Sequence, residues 1–299
     1  MPPPIVYHPD YMAQLRPGHR FPMSKYGYLR AALIARGLLP ETGGYLAPAP
    51  APLAHVAAVH AFDYVERVAT QRMTKEEERR VGLPGTPAVA RRAFLSAAGT
   101  LLAARLALEH GLALNMAGGS HHAGPEGGAG FCVFNDVAIA AQALLAEGRV
   151  ARVLVIDCDV HQGDGTARIF ENRAEVMTLS LHAERNYPAR KARSTLDFPL
   201  PDGLMDRAYL ETLRHALGLA ADFRADIAFY NAGVDPHRDD RLGRLALSFD
   251  GLRARDAAVI AWARARSLPL ACVLGGGYDT DPDRLATRHA ILFEEASRA

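Results

Sequence analysis

The sequence predicts an α/β protein: a single domain over residues 1–299, built on a mostly parallel sheet flanked by helices on both faces. Three observations predict it. Short apolar runs alternate with longer segments of helical periodicity along the chain. The runs are apolar at consecutive positions, as strands covered on both faces should be. Polar residues cluster where the runs end, and open parallel sheets bind ligands beyond the carboxyl ends of their strands.

The first strand is expected near Ile5–Tyr7 and the first helix over Tyr26–Leu39. The proline-rich LAPAPAPL, Leu46–Leu53, reads as a loop, and so does GLPGTP, Gly82–Pro87. A long helix follows over Ala88–His110, then a strand over Ala113–Met116. The helix at Val137–Glu147 is preceded by Asn135 and Asp136, either of which can cap it. Strands are expected at Val153–Asp157 and Val176–Leu181, then a helix over Met205–Phe223 and a strand over Ile227–Ala232. Asp250 is placed to cap a helix over Leu252–Ser267. The strand Leu270–Leu274 and the helix Pro282–Ala296 complete the pattern, and no segment divides it into domains.

Composition narrows the function. About half of the 299 residues are hydrophobic, enough for a substantial core, and the net charge of +1 argues against a broad nucleic-acid-binding surface. Only Lys25, Lys75 and Lys191 among the 34 basic residues are lysines. Cys132, Cys158 and Cys272 are far apart and form no C-x-x-C pair, so neither a disulfide framework nor a thiolate zinc knuckle is expected. The N-terminal MPPPIVYHPD has no signal-peptide pattern, and no apolar run reaches membrane-spanning length. A cytoplasmic protein without a membrane partner is the expectation; oligomeric state is not legible.

The chemistry concentrates in VLVIDCDVHQGDG, Val153–Gly165, where a buried-strand pattern ends in Asp157, Asp159, His161 and Asp164. Buried like charges cost several kcal/mol each unless compensated, and a metal cation compensates them. Asp157, Asp159 and His161 stand at i, i+2 and i+4, which share one face of an extended chain. Aspartate and histidine suit zinc or iron(II). A catalytic site needs a third ligand, and Asp235 in YNAGVDPH, just past a strand end, is the best candidate. GGSHHAG brings His121 and His122 into a glycine-rich loop. Histidine carries protons near neutral pH, and Asp157 and Asp164 are the remaining carboxylates that could fix the two tautomers. LGGGYDTD puts Tyr278 after three glycines, which permit close backbone approach and let the loop swing a phenol toward a developing oxyanion. GAGFCVFND offers Phe131 as an apolar channel wall.

Together GGSHHAG, GFCVFND, DCDVHQGDGT, TLSLH, NAGVDPH and GGGY resemble, in order and spacing, the histone deacetylase-like family of metal-dependent amidohydrolases, over about residues 5–290. The likeness is nearest to its class IV-like branch and bacterial relatives, with acetoin-utilisation proteins and acetylpolyamine amidohydrolases as neighbours. It implies an arginase/deacetylase-like fold. By resemblance Asp159, His161 and Asp235 are the zinc ligands, with iron(II) as the alternative metal. His121 and His122 are the tandem active-site histidines, paired with Asp157 and Asp164 respectively. His122 is then the general base and His121 its electrostatic support. Tyr278 binds the oxyanion, and Phe131, with Gly130 beside it, walls the acyl tunnel. A structural potassium is implied at Asp157, Asp159, His161, Ser180 and Leu181, several through backbone carbonyls.

Two features depart from the family. Its rim aspartate, which holds a peptide backbone, has no counterpart; the region reads GLPGTP around Gly82. Its arginine near the acetate-release region is replaced, with Lys25 as the candidate. The implied reaction removes acetyl or longer acyl groups from Nε-acyl-lysine of a protein or peptide. Small acylated amines such as acetylpolyamines are the alternative substrates, and a non-catalytic acyl-binding protein is the rival from another class. That rival should lack His122 or Tyr278, and both are present. A two-manganese ureohydrolase would need a D-x-H-x-D run, whereas here the histidine follows both aspartates.

Overall fold

The structure is a computed structural model describing residues 2–299. Strand β1 is Ile5–Val6, and helix α1 spans Lys25–Ala35, ending earlier than its periodicity suggests because Gly37 turns the chain at φ +68°. Three short helices follow that the sequence pattern does not announce: α2 at Leu53–Ala57, α3 at Phe62–Ala69 and α4 at Lys75–Val81. The last starts with a reciprocal Thr74–Glu77 capping box and stops at the left-handed Gly82. Thr86 caps the long α5, Pro87–His110, and Pro87 occupies its first turn.

Strand β2 is Leu112–Asn115, and α6 runs over Asp136–Ala146 with Asn135 as its cap, accepting from Ala138 N–H at 3.0 Å. Strand β3, Val153–Asp157, leads into α7, Asp164–Phe170. Strand β4 is Val176–Ala183, and β5 is Leu196–Leu200, which the sequence reading omits. Its LDFPL is half-exposed and carries Pro199, a composition confined to edge strands, and β5 is indeed the edge. Helix α8 spans Asp206–Ala220, β6 spans Ile227–Asn231, α9 spans Phe249–Arg264, β7 spans Leu270–Val273 and α10 spans Pro282–Arg298. The cap of α9 is Ser248, whose Oγ accepts from Gly251 N–H at 3.0 Å, not Asp250. Asp250 lies in the first turn, where a carboxylate still meets the positive end of the helix dipole.

The seven strands pair in the order β1-β2-β7-β6-β3-β4-β5, all parallel. Helices α1, α10, α9 and α8 pack in succession as one layer, while α5, α6 and α7 form another. Every residue of β2, β3, β6 and β7 is buried, which explains their unbroken apolar runs. After β3 the chain proceeds outward to β4 and β5; after β6 it proceeds the other way to β7. The order therefore diverges between β3 and β6, and a crevice opens beyond their carboxyl ends. Asp157 and Asn231, the last residues of these two strands, face each other in register there.

Candidate active site

The segments that leave β2, β3, β6 and β7 all turn into this crevice. After β2, Gly118 and Gly119 take φ +86° and +82°, and the N–H groups of Gly119 and Ser120 donate to Asp136 at 3.1 and 2.7 Å. That anchorage to the start of α6 fixes the loop carrying the two histidines. Their rings lie 4.1 Å apart. His121 Nδ1 is 2.7 Å from Asp157 Oδ2, and His122 Nδ1 is 2.7 Å from Asp164 Oδ1. Asp157 also accepts from Asp159 N–H at 3.1 Å and Asn231 Nδ2 at 3.0 Å. Arg168 pairs with the second oxygen of Asp164.

Asp159, His161 and Asp235 converge with one candidate ligand atom each, all within 4.8 Å of one another and all buried. Asp159 Oδ2 accepts from Gly276 N–H at 2.7 Å, and Asp235 Oδ1 accepts from Val160 N–H at 2.8 Å. Asp235 Oδ2 is buried and faces His161 Nδ1 at 3.2 Å. The glycines let the segments meet: a Cβ on Gly276 would lie 2.1 Å from Asp235 Oδ2, and one on Gly233 would lie 2.5 Å from Asp159 Oδ2. Beneath them runs an ion pair absent from the sequence reading. Arg255, fully buried on α9, pairs with Asp256 and donates to the carbonyls of Gly233 at 2.5 Å and of Cys158 and Ala232 at 3.3 Å. It ties the backbones leaving β3 and β6 together.

The electrostatics fit a cation. Side chains alone can offer only protons against the three clustered carboxylates of Asp157, Asp159 and Asp235. Burial opposes charge on His161, yet Asp159 and Asp235 raise it to about 10. Burial and the Asp159 charge raise Asp235 to about 6. A buried O/N/O donor set in which His161 Nδ1 stands 3.0 Å from Asp159 and 3.2 Å from Asp235 fits a divalent metal that displaces those protons. The paired histidines diverge. His121, despite burial, is raised to about 9 by Asp157 and Asp159, while burial and the neighbouring His121 charge lower His122 to about 3. One imidazole is held cationic and the next neutral.

A pocket of about 500 Å³ opens from these groups to solvent, lined by His122, Gly130, Phe131, His161, Tyr187 and Tyr278 among others. Phe131 adopts φ +67°, rare for a bulky residue, and is held by a 2.7 Å bond from its N–H to Val81 O. A Cβ on Gly130 would meet His122 Cδ2 at 2.7 Å. Tyr187 stands edge-on to His122 at 4.7 Å, a wall residue that sequence reasoning missed because no motif surrounds it. Tyr278 is pinned rather than free to swing: its N–H donates to Asp240 at 2.6 Å, its carbonyl accepts from Arg241 N–H, and its ring packs on Phe131 and Phe21. A smaller cavity behind the histidines is lined by Arg92 and Tyr26. Lys25 is not on its wall; it is buried and donates to Gly275 O at 3.0 Å. Ser180 and Leu181 lie on β4, where Ser180 is in register with Asp157.

Residues 19–293 match the family model of the histone deacetylase domain. The chain belongs to the histone deacetylase family. It is 32% identical to Histone deacetylase 2 of Arabidopsis thaliana over 87% of this chain and 70% of that one. It is 30% identical to a probable deacetylase of Archaeoglobus fulgidus over 93% and 81%. It is also 45% identical to an uncharacterized protein of Picosynechococcus over 98% of both chains. Among solved structures, the acetylpolyamine aminohydrolase of Burkholderia pseudomallei superposes with a TM-score of 0.79 and 25% identity, covering 98% of each chain. As a member of the histone deacetylase family the chain is a hydrolase acting on amide bonds. Among the described residues no helix is long and apolar enough to cross a membrane.

Proposed function

We propose that the chain forms one catalytic domain, a cytoplasmic zinc-dependent deacylase acting on Nε-acyl-lysine, acetyl or longer. The observation that carries this reading is His122, 2.7 Å from Asp164, opening on the same pocket as His161 of the Asp159–His161–Asp235 cluster and Tyr278. Asp159, His161 and Asp235 would hold a single zinc, or iron(II) in its place. Such an ion supplies Lewis-acid polarisation of an amide carbonyl and lowers the pKa of a water toward about 7.

The chain's own groups do the rest. His122, neutral with Nδ1–H directed at Asp164, accepts the water proton at Nε2 and returns it to the leaving amine. His121, kept cationic by Asp157, stabilises negative charge that develops beside it. Burial and the charges of Asp235 and Asp159 hold the Tyr278 phenol well above its ordinary range, so it stays a donor to the tetrahedral oxyanion. Phe131, beside Gly130, and Tyr187 wall the acyl chain. A potassium ion at Asp157, Asp159, His161, Ser180 and Leu181 is part of the same reading. The likeness to an acetylpolyamine aminohydrolase supports small acylated amines as a second substrate reading.

The test is metal analysis with an acyl-length panel on lysine peptides and acetylpolyamines. Hydrolysis that a hydroxamate and a chelator abolish, and zinc restores, is expected. Zinc-loaded protein that cleaves no acyl amide would overturn the proposal.

A further inference from the structure

The mouth of the pocket is cationic. Arg16 and Arg20 come from the loop before α1, and Arg79 and Arg80 from the last turn of α4; all four are exposed and all line the opening, with His19 between them. Among the described residues no acidic side chain lines it. Among the described residues none of the four arginines lies within 4.0 Å of a carboxylate. Two acids of α4 are engaged elsewhere, Glu77 with Arg67 at 2.6 Å and Glu78 with Lys75 at 2.7 Å; the third, Glu76, is exposed and lies outside the lining of the opening. Arg80 donates to Gly128 O at 2.8 Å, so part of this charge is built into the loop that leads to Gly130. Favourable position at a helix C-terminus accounts for Arg79 and Arg80. It does not account for Arg16 and Arg20, which approach the same opening from a different segment. With a net charge of only +1, the chain has no general excess to explain the patch.

We propose that this rim selects acyl-lysine set among acidic residues, so that carboxylates flanking the scissile amide meet Arg16, Arg20, Arg79 and Arg80 while the acyl chain enters between Phe131 and Tyr187. The inference rests on the deacylase reading and names its substrate class. A polyamine is disfavoured, because its ammonium groups would have to lie among unpaired guanidiniums. Arginine suits the role, since its planar fork meets carboxylates two bonds at a time. A cleft lined by one sign of charge also concentrates oppositely charged ligands, raising on-rates by roughly 10- to 10³-fold in a salt-dependent way.

The experiment compares one acyl-lysine centre in two peptides, flanked by Asp and Glu or by Lys and Arg, alongside N-acetylspermidine. For the zinc-loaded protein, kcat/KM and binding by fluorescence anisotropy are measured at low and high salt. The acidic peptide should lead by about tenfold or more at low salt. The lead should shrink at high salt, where the screening length falls to a few ångströms. An R16E/R20E/R79E variant, which spares the loop-anchoring Arg80, should reverse the order. Equal binding of the two peptides, a preference for the basic peptide or the polyamine, or a preference surviving in the variant overturns the rim proposal. Salt-sensitive preference for the acidic peptide in binding without hydrolysis would sustain the rim proposal and sink the deacylase reading; hydrolysis without charge preference would do the reverse.

Discussion

Tyr278→Phe isolates one hydroxyl. The ring stays where Phe21 and Phe131 hold it, with centroids at 6.5 and 5.9 Å, and the backbone stays bonded to Asp240. Among the described residues the hydroxyl makes no hydrogen bond, and burial followed by the Asp235 and Asp159 charges governs its acidity. Its removal therefore breaks no hydrogen bond of the fold, and stability should stay within about 0.5 kcal/mol of wild type. At roughly 2–4 °C per kcal/mol for a chain of this size class, that is a Tm change under about 2 °C. If the phenol serves the oxyanion, the interaction is stronger in the transition state than in the ground state, so the loss appears in kcat. One such donor is worth about 10²–10³ in kcat, or about 2.7–4 kcal/mol. The assay is kcat and KM on the best acyl-lysine peptide, with Tm and metal content measured on the same preparation. Wild-type kcat would refute the oxyanion role. A collapse accompanied by metal loss or a large Tm drop would refute the claim that the hydroxyl is free of the fold.

Asp235→Ala or His161→Ala should lower bound zinc from about one per chain to near zero and abolish turnover together; full zinc occupancy by elemental analysis would exclude these residues as ligands. Asp240→Ala removes the acceptor for the N–H groups of Tyr278, Leu242 and Gly243. It should cost on the order of 1–3 kcal/mol in urea unfolding and lower kcat more than it raises KM, because Tyr278 loses its anchor. Burial lowers His60 from 6.5 to about 4, and the ring stays neutral between Gly124 O and Asn135 N–H. The unfolded chain then takes up this proton first. Its stabilising contribution is fully present above pH 6.5 and is lost as pH falls toward 4, by up to about 3 kcal/mol. Wild type should therefore lose more stability than His60→Gln between pH 7.5 and 4.5 in urea titrations; parallel losses would count against it.

The parallel sheet and much of what meets at its carboxyl ends were legible in the residue pattern alone. Strands buried on both faces are apolar along most of their length, so β2, β3, β6 and β7 stand out as runs, and most of the polar residues that follow them gather at the crevice. Asp159, His161, Asp235 and the histidine pair were legible for that reason: each follows such a run in a tight, glycine-bearing segment. Short elements were not legible. Helices α2 to α4 are too brief for periodicity to register, and LDFPL of β5 is half-exposed and interrupted by Pro199. Which segments touch was decided only in three dimensions. Arg255 on α9 reaches carbonyls about 22 to 97 positions away, Asp240 clamps Tyr278, and Tyr187 closes on His122. Arg16 and Arg20 join Arg79 and Arg80 at the mouth because α4 and the loop before α1 pack around the same opening, although some sixty residues separate them. Local sequence carries backbone propensity and burial, whereas the field at a pocket mouth is a sum over charges that only packing brings together.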